Sequence, residues 1–165
     1  MSGSLRLDAV DLEILRLLQE DARTTNRALA TAVGVAPSTC LERVARMRRA
    51  GIILGHGLRL SSAALGRPLQ AFLALRVRPH REPHADPFIS DVTRLPGTRA
   101  LFHIAGPDDF LVHVATTGIE ELRRLVLEEF TQREEVLSVH TTLIFEEWSG
   151  GPLLPPLEDE GTARP

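Results

Sequence analysis

The chain has 165 residues, 43% of them apolar and 25% charged, with a net charge of −3. That length admits one medium domain or two small ones, and the balance is that of a folded chain, not a disordered one. No apolar run approaches the ~20 residues of a membrane helix, the first residues lack the hydrophobic stretch of a signal peptide, and a single cysteine, Cys40, excludes an intramolecular disulfide; the expectation is a cytoplasmic protein.

Every one of the 19 basic residues is arginine, which a GC-rich coding bias produces without functional meaning. Their distribution says more. Residues 1–60 hold nine Arg against six Asp or Glu, a net +3, and residues 61–165 hold ten against sixteen, a net −6. A basic front half on an acidic back half suits a front half that meets a polyanion.

Leu12, Ile14, Leu15 and Leu18 make a helical stripe, so a first helix is expected over about residues 9–21, with Asp8 as its N-cap. Thr25 can cap a second helix from Asn26 to Val33, ended by Gly34. Pro37 suits the first turn of a third, which runs to about Ala50 before Gly51. Ala36 offers no capping hydroxyl there. Residues 52–60 mix Ile52, Ile53, Leu54 and Leu58 with glycine and read as a strand or small wing, and Ser61 to Pro68 reads as a linker.

The second half changes rhythm. Strands are expected at Phe72–Val77, Ala100–Ala105, Phe110–Ala115 and Val136–Phe145, with the middle two closed into a hairpin by Gly106-Pro107-Asp108-Asp109. A proline-punctuated turn over Pro79–Pro87 precedes a short helix through Phe88, Val92 and Leu95, and Ile119, Leu122, Val126 and Phe130 mark a second helix. The order βαββαβ is the ferredoxin-like plan. The fold class is therefore α+β: a winged helix-turn-helix over 1–60, a linker over 61–70, a ferredoxin-like effector and oligomerisation domain over 71–148, and a flexible tail over 149–165. Phe72 beside Leu73, and Phe110 beside Leu111, make the strands apolar on both faces, which calls for a partner sheet.

On the third helix, Cys40, Leu41, Val44 and Met47 gather on one side and Ser38, Thr39, Glu42, Arg46 and Arg49 on the other, with Arg43 flanking them. Arg can bridge guanine O6 and N7, Glu can accept from cytosine N4, and hydroxyls at a helix start can hold phosphate. The plainer alternative is a solvated face on which Glu42 and Arg46 pair.

These residues also carry a resemblance. Leu7-Asp8 with Asp11, Ile14 and Leu15, then Asp21-Ala22-Arg23-Thr24, Leu29-Ala30, Val33-Gly34, Pro37-Ser38-Thr39, Arg43-Val44 and Gly51-Ile52-Ile53, followed by Gly66, Gly106 and Asp109, resemble the Lrp/AsnC (feast/famine) transcription regulators over residues 5–147. The resemblance implies a regulator that binds double-stranded DNA, an amino acid or related small molecule as effector, and a homodimer that can assemble further into octamers. It implies no cofactor, metal or catalytic residue. The sequence departs from the family at Ala36, at Pro107 and at Arg133-Glu134-Glu135. The effector candidates are Gly106, Asp108 and Asp109 in the hairpin turn, with Thr116, Thr117 and Gly118 after the third strand: a carboxylate can hold an ammonium, and backbone N–H groups can hold a carboxylate. Two other readings compete. One is a DNA-organising regulator of the same fold that ignores small molecules. The other is a sirohaem decarboxylase-like enzyme, in which histidines act at a tetrapyrrole. His103, His113 and His140, all in the sheet, would bind a metal only if they converged and are more simply read as structural; His80 and His84 belong to the proline-rich turn.

Overall fold

The computed structural model describes residues 5–78 and 87–156. They divide into two units: one holds the described residues up to Leu58 with those from Ser149 on, the other Arg59–Trp148. The turn expected at Pro79–Pro87 lies, except for Pro87, outside the described residues, as do His80 and His84.

The first unit is three helices: α1 (Ala9–Glu20), α2 (Asn26–Val33) and α3 (Pro37–Arg49). Each start has a local cause. Asp8 caps α1 and forms a reciprocal capping box with Asp11: the Asp11 N–H donates to Asp8 Oδ1 at 2.9 Å and the Asp8 N–H to Asp11 Oδ2 at 3.2 Å. Thr25 Oγ1 accepts from the Ala28 N–H at 3.2 Å. Gly34, at φ 71°, ends α2 in the left-handed conformation that glycine adopts without strain. Ala36 gives α3 no side-chain cap, and the Asn26 amide reaches across to the Pro37 carbonyl at 2.7 Å. Ile14, Leu15, Leu29, Ala30, Cys40, Val44 and Met47 form the core between the helices.

Two expectations for this unit are corrected. Residues 52–60 form no strand or wing: Ile52 and Ile53 turn back to donate to the Met47 carbonyl at 3.0 and 3.4 Å, and beyond them no described strand pairs with the segment, leaving Leu54 93% and Leu58 89% exposed. The stretch expected to be a loose tail instead begins with a held segment. The Gln19 amide accepts from the Leu153 N–H at 2.8 Å and donates to the Leu153 carbonyl at 3.0 Å, so one side chain satisfies both backbone groups of one residue. Nearby, Leu5, Leu15, Leu18, Ile53 and Leu154 line an apolar cavity of about 760 Å³.

The second unit is β1 (Leu69–Val77), α4 (Pro87–Arg94), β2 (Thr98–His103), β3 (Phe110–Thr116), α5 (Ile119–Leu125) and β4 (Val136–Ile144), with one π-helical stretch, Val126–Thr131, continuing α5. The strands form one antiparallel sheet in the order β2-β3-β1-β4. β1 starts at Leu69, inside the stretch expected to be linker. Side chains alternate across the sheet. Ala71, Leu73, Leu75 and Val77 of β1 and Phe110, Val112 and Val114 of β3 pack beneath Phe88 and Val92 of α4, Leu122 of α5 and Phe130. The intervening residues, Phe72, Ala74, Leu111 and His113, point to the other face with Phe102, their cross-strand neighbour, and no described element covers that face.

Gln19→Ala is expected to release the 152–155 segment with little loss of global stability, because the clasp is two exposed hydrogen bonds. Faster hydrogen exchange at the Leu153 amide, with an unchanged melting midpoint, is the readout.

Candidate DNA-binding face and effector sites

α3 sorts its side chains by angle. Cys40, Val44 and Met47 point inward, and burial pushes the Cys40 thiol up, so this cysteine packs and does not react. Ser38, Thr39, Glu42 and Arg49 are exposed. Leu41, expected inward beside Cys40, is 59% exposed: at about 100° per residue it lies roughly 90° from the centre of the buried group, on an edge that no described element overlies.

Arg43 and Arg46 do not stand free. Arg43 Nη1 donates to Asp8 Oδ2 at 2.7 Å and to Asp11 Oδ1 at 2.9 Å. Arg46 Nη2 donates to Asp11 Oδ2 at 2.6 Å. Asp11 is fully buried, while the Arg43 and Arg46 side chains are 23% and 41% exposed. The carboxylate that closes the capping box of α1 thus also holds two arginines of α3. The pairing of Glu42 with Arg46 that helical spacing allows does not form, because Asp11 takes the guanidinium; Glu42 and Arg49 have no side-chain partner among the described residues. Arg48, with Nη2 2.8 Å from His56 Nε2, is outside the predicted set.

The six effector candidates fall in two places. Gly106, Asp108 and Asp109 precede β3, and Thr116, Thr117 and Gly118 close its far end, roughly 20 Å apart at 3.3 Å per residue. The structure therefore does not bring them into one pocket within a protomer. Most are also committed. Asp109 Oδ2 accepts from the Val77 N–H at 2.8 Å where β1 has a bulge, and the Asp109 backbone bonds Leu75 and Ile104. The Thr116 hydroxyl is buried 3.2 Å from the Leu69 and Gly118 carbonyls. The Thr117 N–H donates to Glu121 Oε2 at 2.7 Å, and Arg67 Nη1 bridges Glu121 Oε1 and the Ala115 carbonyl. The Thr117 N–H and, next, the Thr117 hydroxyl hold the Glu121 carboxyl below its usual range, with the Arg67 guanidinium adding to them. Asp108, its side chain 18% exposed, makes no hydrogen bond among the described residues and faces His140 Nδ1 at 3.7 Å. Gly97, which no motif singled out, is required at the far end: at φ +88° a Cβ would run into the Ala115 carbonyl.

The histidines stay apart. His103 stacks on Phe110 on the helix side. His113 bonds Gln70 at 3.0 Å on the other face, with β1 between it and His140. Among the described residues no three His, Cys, Asp or Glu gather as metal ligands.

Two outcomes follow for the Asp8–Asp11–Arg43–Arg46 cluster. Asp11→Ala leaves Arg46 without its anion and should lower stability by about 2–4 kcal/mol in urea, below the full cost of a broken buried pair because water reaches Arg46. The second concerns pH. The Asp11 N–H and, next, the Arg43 guanidinium hold the Asp8 carboxyl below its ordinary value. A carboxyl depressed in the folded state stabilises above its unfolded pKa, and that contribution is lost as pH falls through the folded pKa. Stability should therefore decline below about pH 4, and Asp8→Asn should flatten that decline.

An AsnC-type helix-turn-helix domain model matches residues 7–48 and an Lrp/AsnC ligand-binding domain model residues 70–154. The chain is 38% identical over 144 residues to the HTH-type transcriptional regulator AldR of Mycolicibacterium smegmatis, covering 87% of this chain and 84% of that one. It is 34% identical to the leucine-responsive regulatory protein of Rhizobium meliloti, covering 84% and 89%. A Neisseria meningitidis transcriptional regulator solved in complex with L-methionine superposes with a TM-score of 0.81 at 29% identity, over 91% of this chain and 97% of that one.

Proposed function

Because this chain belongs to the Lrp/AsnC family of transcription regulators, we propose that it binds operator DNA as a homodimer and responds to an amino acid. The observation that carries the DNA-binding half is the outer face of α3, where Ser38, Thr39, Glu42 and Arg49 are exposed and Arg43 and Arg46 are set in place by Asp11. Its place of work is the cytoplasm, where the DNA is.

The dimer is argued from the open sheet face. Phe72, Leu111 and Phe102 together are an apolar surface of the kind that meets a partner, and a two-fold axis would set two α3 helices on half-sites about one DNA turn apart or a multiple of it. Further association of dimers, up to octamers, is the next level of the same assembly. An amino-acid effector is supported by the match to a ligand-binding domain and by the L-methionine complex of the Neisseria relative. Within this chain the hairpin turn is the better seat, because the Asp108 carboxylate has only the 3.7 Å approach of His140 while Thr116 and Thr117 are already hydrogen-bonded.

Three measurements test this reading. Light scattering should give at least a dimer at micromolar concentration. A gel shift with fragments of the source genome should show retained DNA. A thermal screen of the twenty amino acids should raise the melting temperature with one or a few of them, a ligand at 100 times its Kd contributing about 2.7 kcal/mol, and Asp108→Ala should weaken that response. A monomer that retains no duplex would overturn the reading.

A further inference from the structure

We propose that Glu42 is the residue of α3 that selects the base, while Arg46, held by Asp11, contacts only the phosphate backbone. This rests on the DNA-binding reading above and assigns roles within that face.

The two arginines are the obvious readers by residue type, but their geometry argues against it. Guanine is read by a guanidinium that presents two donors side by side to O6 and N7. On Arg46 one such pair is Nε with Nη2. Nη2 is on Asp11 at 2.6 Å, and Nε is buried with no partner, so that edge of the fork faces the protein. The two N–H groups of Nη1 and the second N–H of Nη2 are left, and any one of them is enough for a phosphate oxygen, which can be approached over a wide range of directions and carries no sequence information. Arg43 is further withdrawn, with Nη1 shared by Asp8 and Asp11. Because Asp11 is buried and holds both guanidiniums, freeing either one for the groove would take one of two cations from a buried carboxylate.

Glu42 has the opposite properties. It lies about 15° from the outward direction of α3 as fixed by Cys40, Val44 and Met47. It is exposed, has no partner among the described residues, and sits in the N-terminal half of the helix, the part that reaches base edges in helix-turn-helix complexes. A free carboxylate facing a polyanion weakens binding to every sequence except one that offers it a donor. Cytosine N4 is such a donor in the major groove. Glu42 therefore gives selectivity by exclusion, lowering affinity for wrong sites more than it raises affinity for the right one.

The test uses the full chain. A duplex is first selected from a random double-stranded library by the parent protein, and binding of that duplex and of a scrambled one is then measured from 50 to 200 mM salt. For Glu42→Ala the expected result has opposite signs: the scrambled duplex binds as well or better, while the ratio of selected to scrambled affinity falls roughly tenfold, with the preference lost at one cytosine. For Glu42→Gln the preference at that position should move toward adenine, whose N6 and N7 suit a glutamine amide. For Arg46→Ala both affinities should fall by the same factor, with the salt slope reduced by about one. An unchanged ratio in Glu42→Ala, or a preference relaxed at a single base pair in Arg46→Ala, overturns the assignment and leaves the regulator reading intact. A parent that enriches and retains no duplex overturns both.

Discussion

The DNA-binding unit is organised around one buried carboxylate. Taking Asp11 out of water is unfavourable unless hydrogen bonds and opposite charge replace the solvent, and here the Asp8 N–H, Arg43 and Arg46 replace it. The consequence is geometric more than energetic. A buried ion pair adds little net stability against a well-packed apolar alternative, but it strongly disfavours arrangements that leave the charge unpaired. The cluster therefore fixes α3 against the start of α1, and two long arginine side chains beside the outer face of α3 have rotamers already restricted. Less conformational freedom is then left to lose on binding.

In the second unit the governing constraint is the two-residue period of the strands. One set of alternating residues on β1 and β3 is fully covered by α4, α5 and the π-helical stretch, so the other set must face away. That set includes Phe72, Leu111 and His113, with the Phe72 and His113 rings 5.1 Å apart. A sheet apolar on both sides with helices on only one keeps an apolar face that no described element covers. The same alternation that builds the core thus builds the surface on which the proposed dimer rests.

Helix starts, helix ends, strand positions and the βαββαβ order were legible in the sequence because each rests on local chemistry: Asp8, Thr25 and Pro37 at starts, Gly34 and Gly51 after ends, short apolar runs in β1 and β3. Long-range pairing was not. Spacing on α3 alone permits a bond between Glu42 and Arg46, and only the placement of α1 shows that Asp11 takes that arginine. Leu41 was misplaced because an apolar residue at the edge of a stripe is ambiguous until the neighbouring helix is known. Residues 52–60 have strand-like composition, yet a strand needs a partner and none is described. Gln19 carries no motif; its clasp on Leu153 joins residues 134 apart in sequence. The effector residues were individually sensible, but a strand separates the two groups, and chemistry without distance could not show it.

That separation bears on how a ligand could act. A ligand shifts only an equilibrium between states it binds differently. At the far end of β3, Glu121, Arg67 and the Thr116 hydroxyl already satisfy the polar groups, so a ligand there would have to displace formed bonds before gaining any. The hairpin turn is different. Asp109 locks it to the bulge of β1, which makes the frame rigid, while Asp108 projects toward His140, a residue of the open sheet face opposite Ala74. An ammonium group held by Asp108 would sit at the rim of the surface that the proposed dimer would use, beside a histidine whose surroundings would change if that surface were covered. Assembled and separate protomers would then offer the ligand different contacts, and that difference is what an effector needs in order to couple its own binding to assembly.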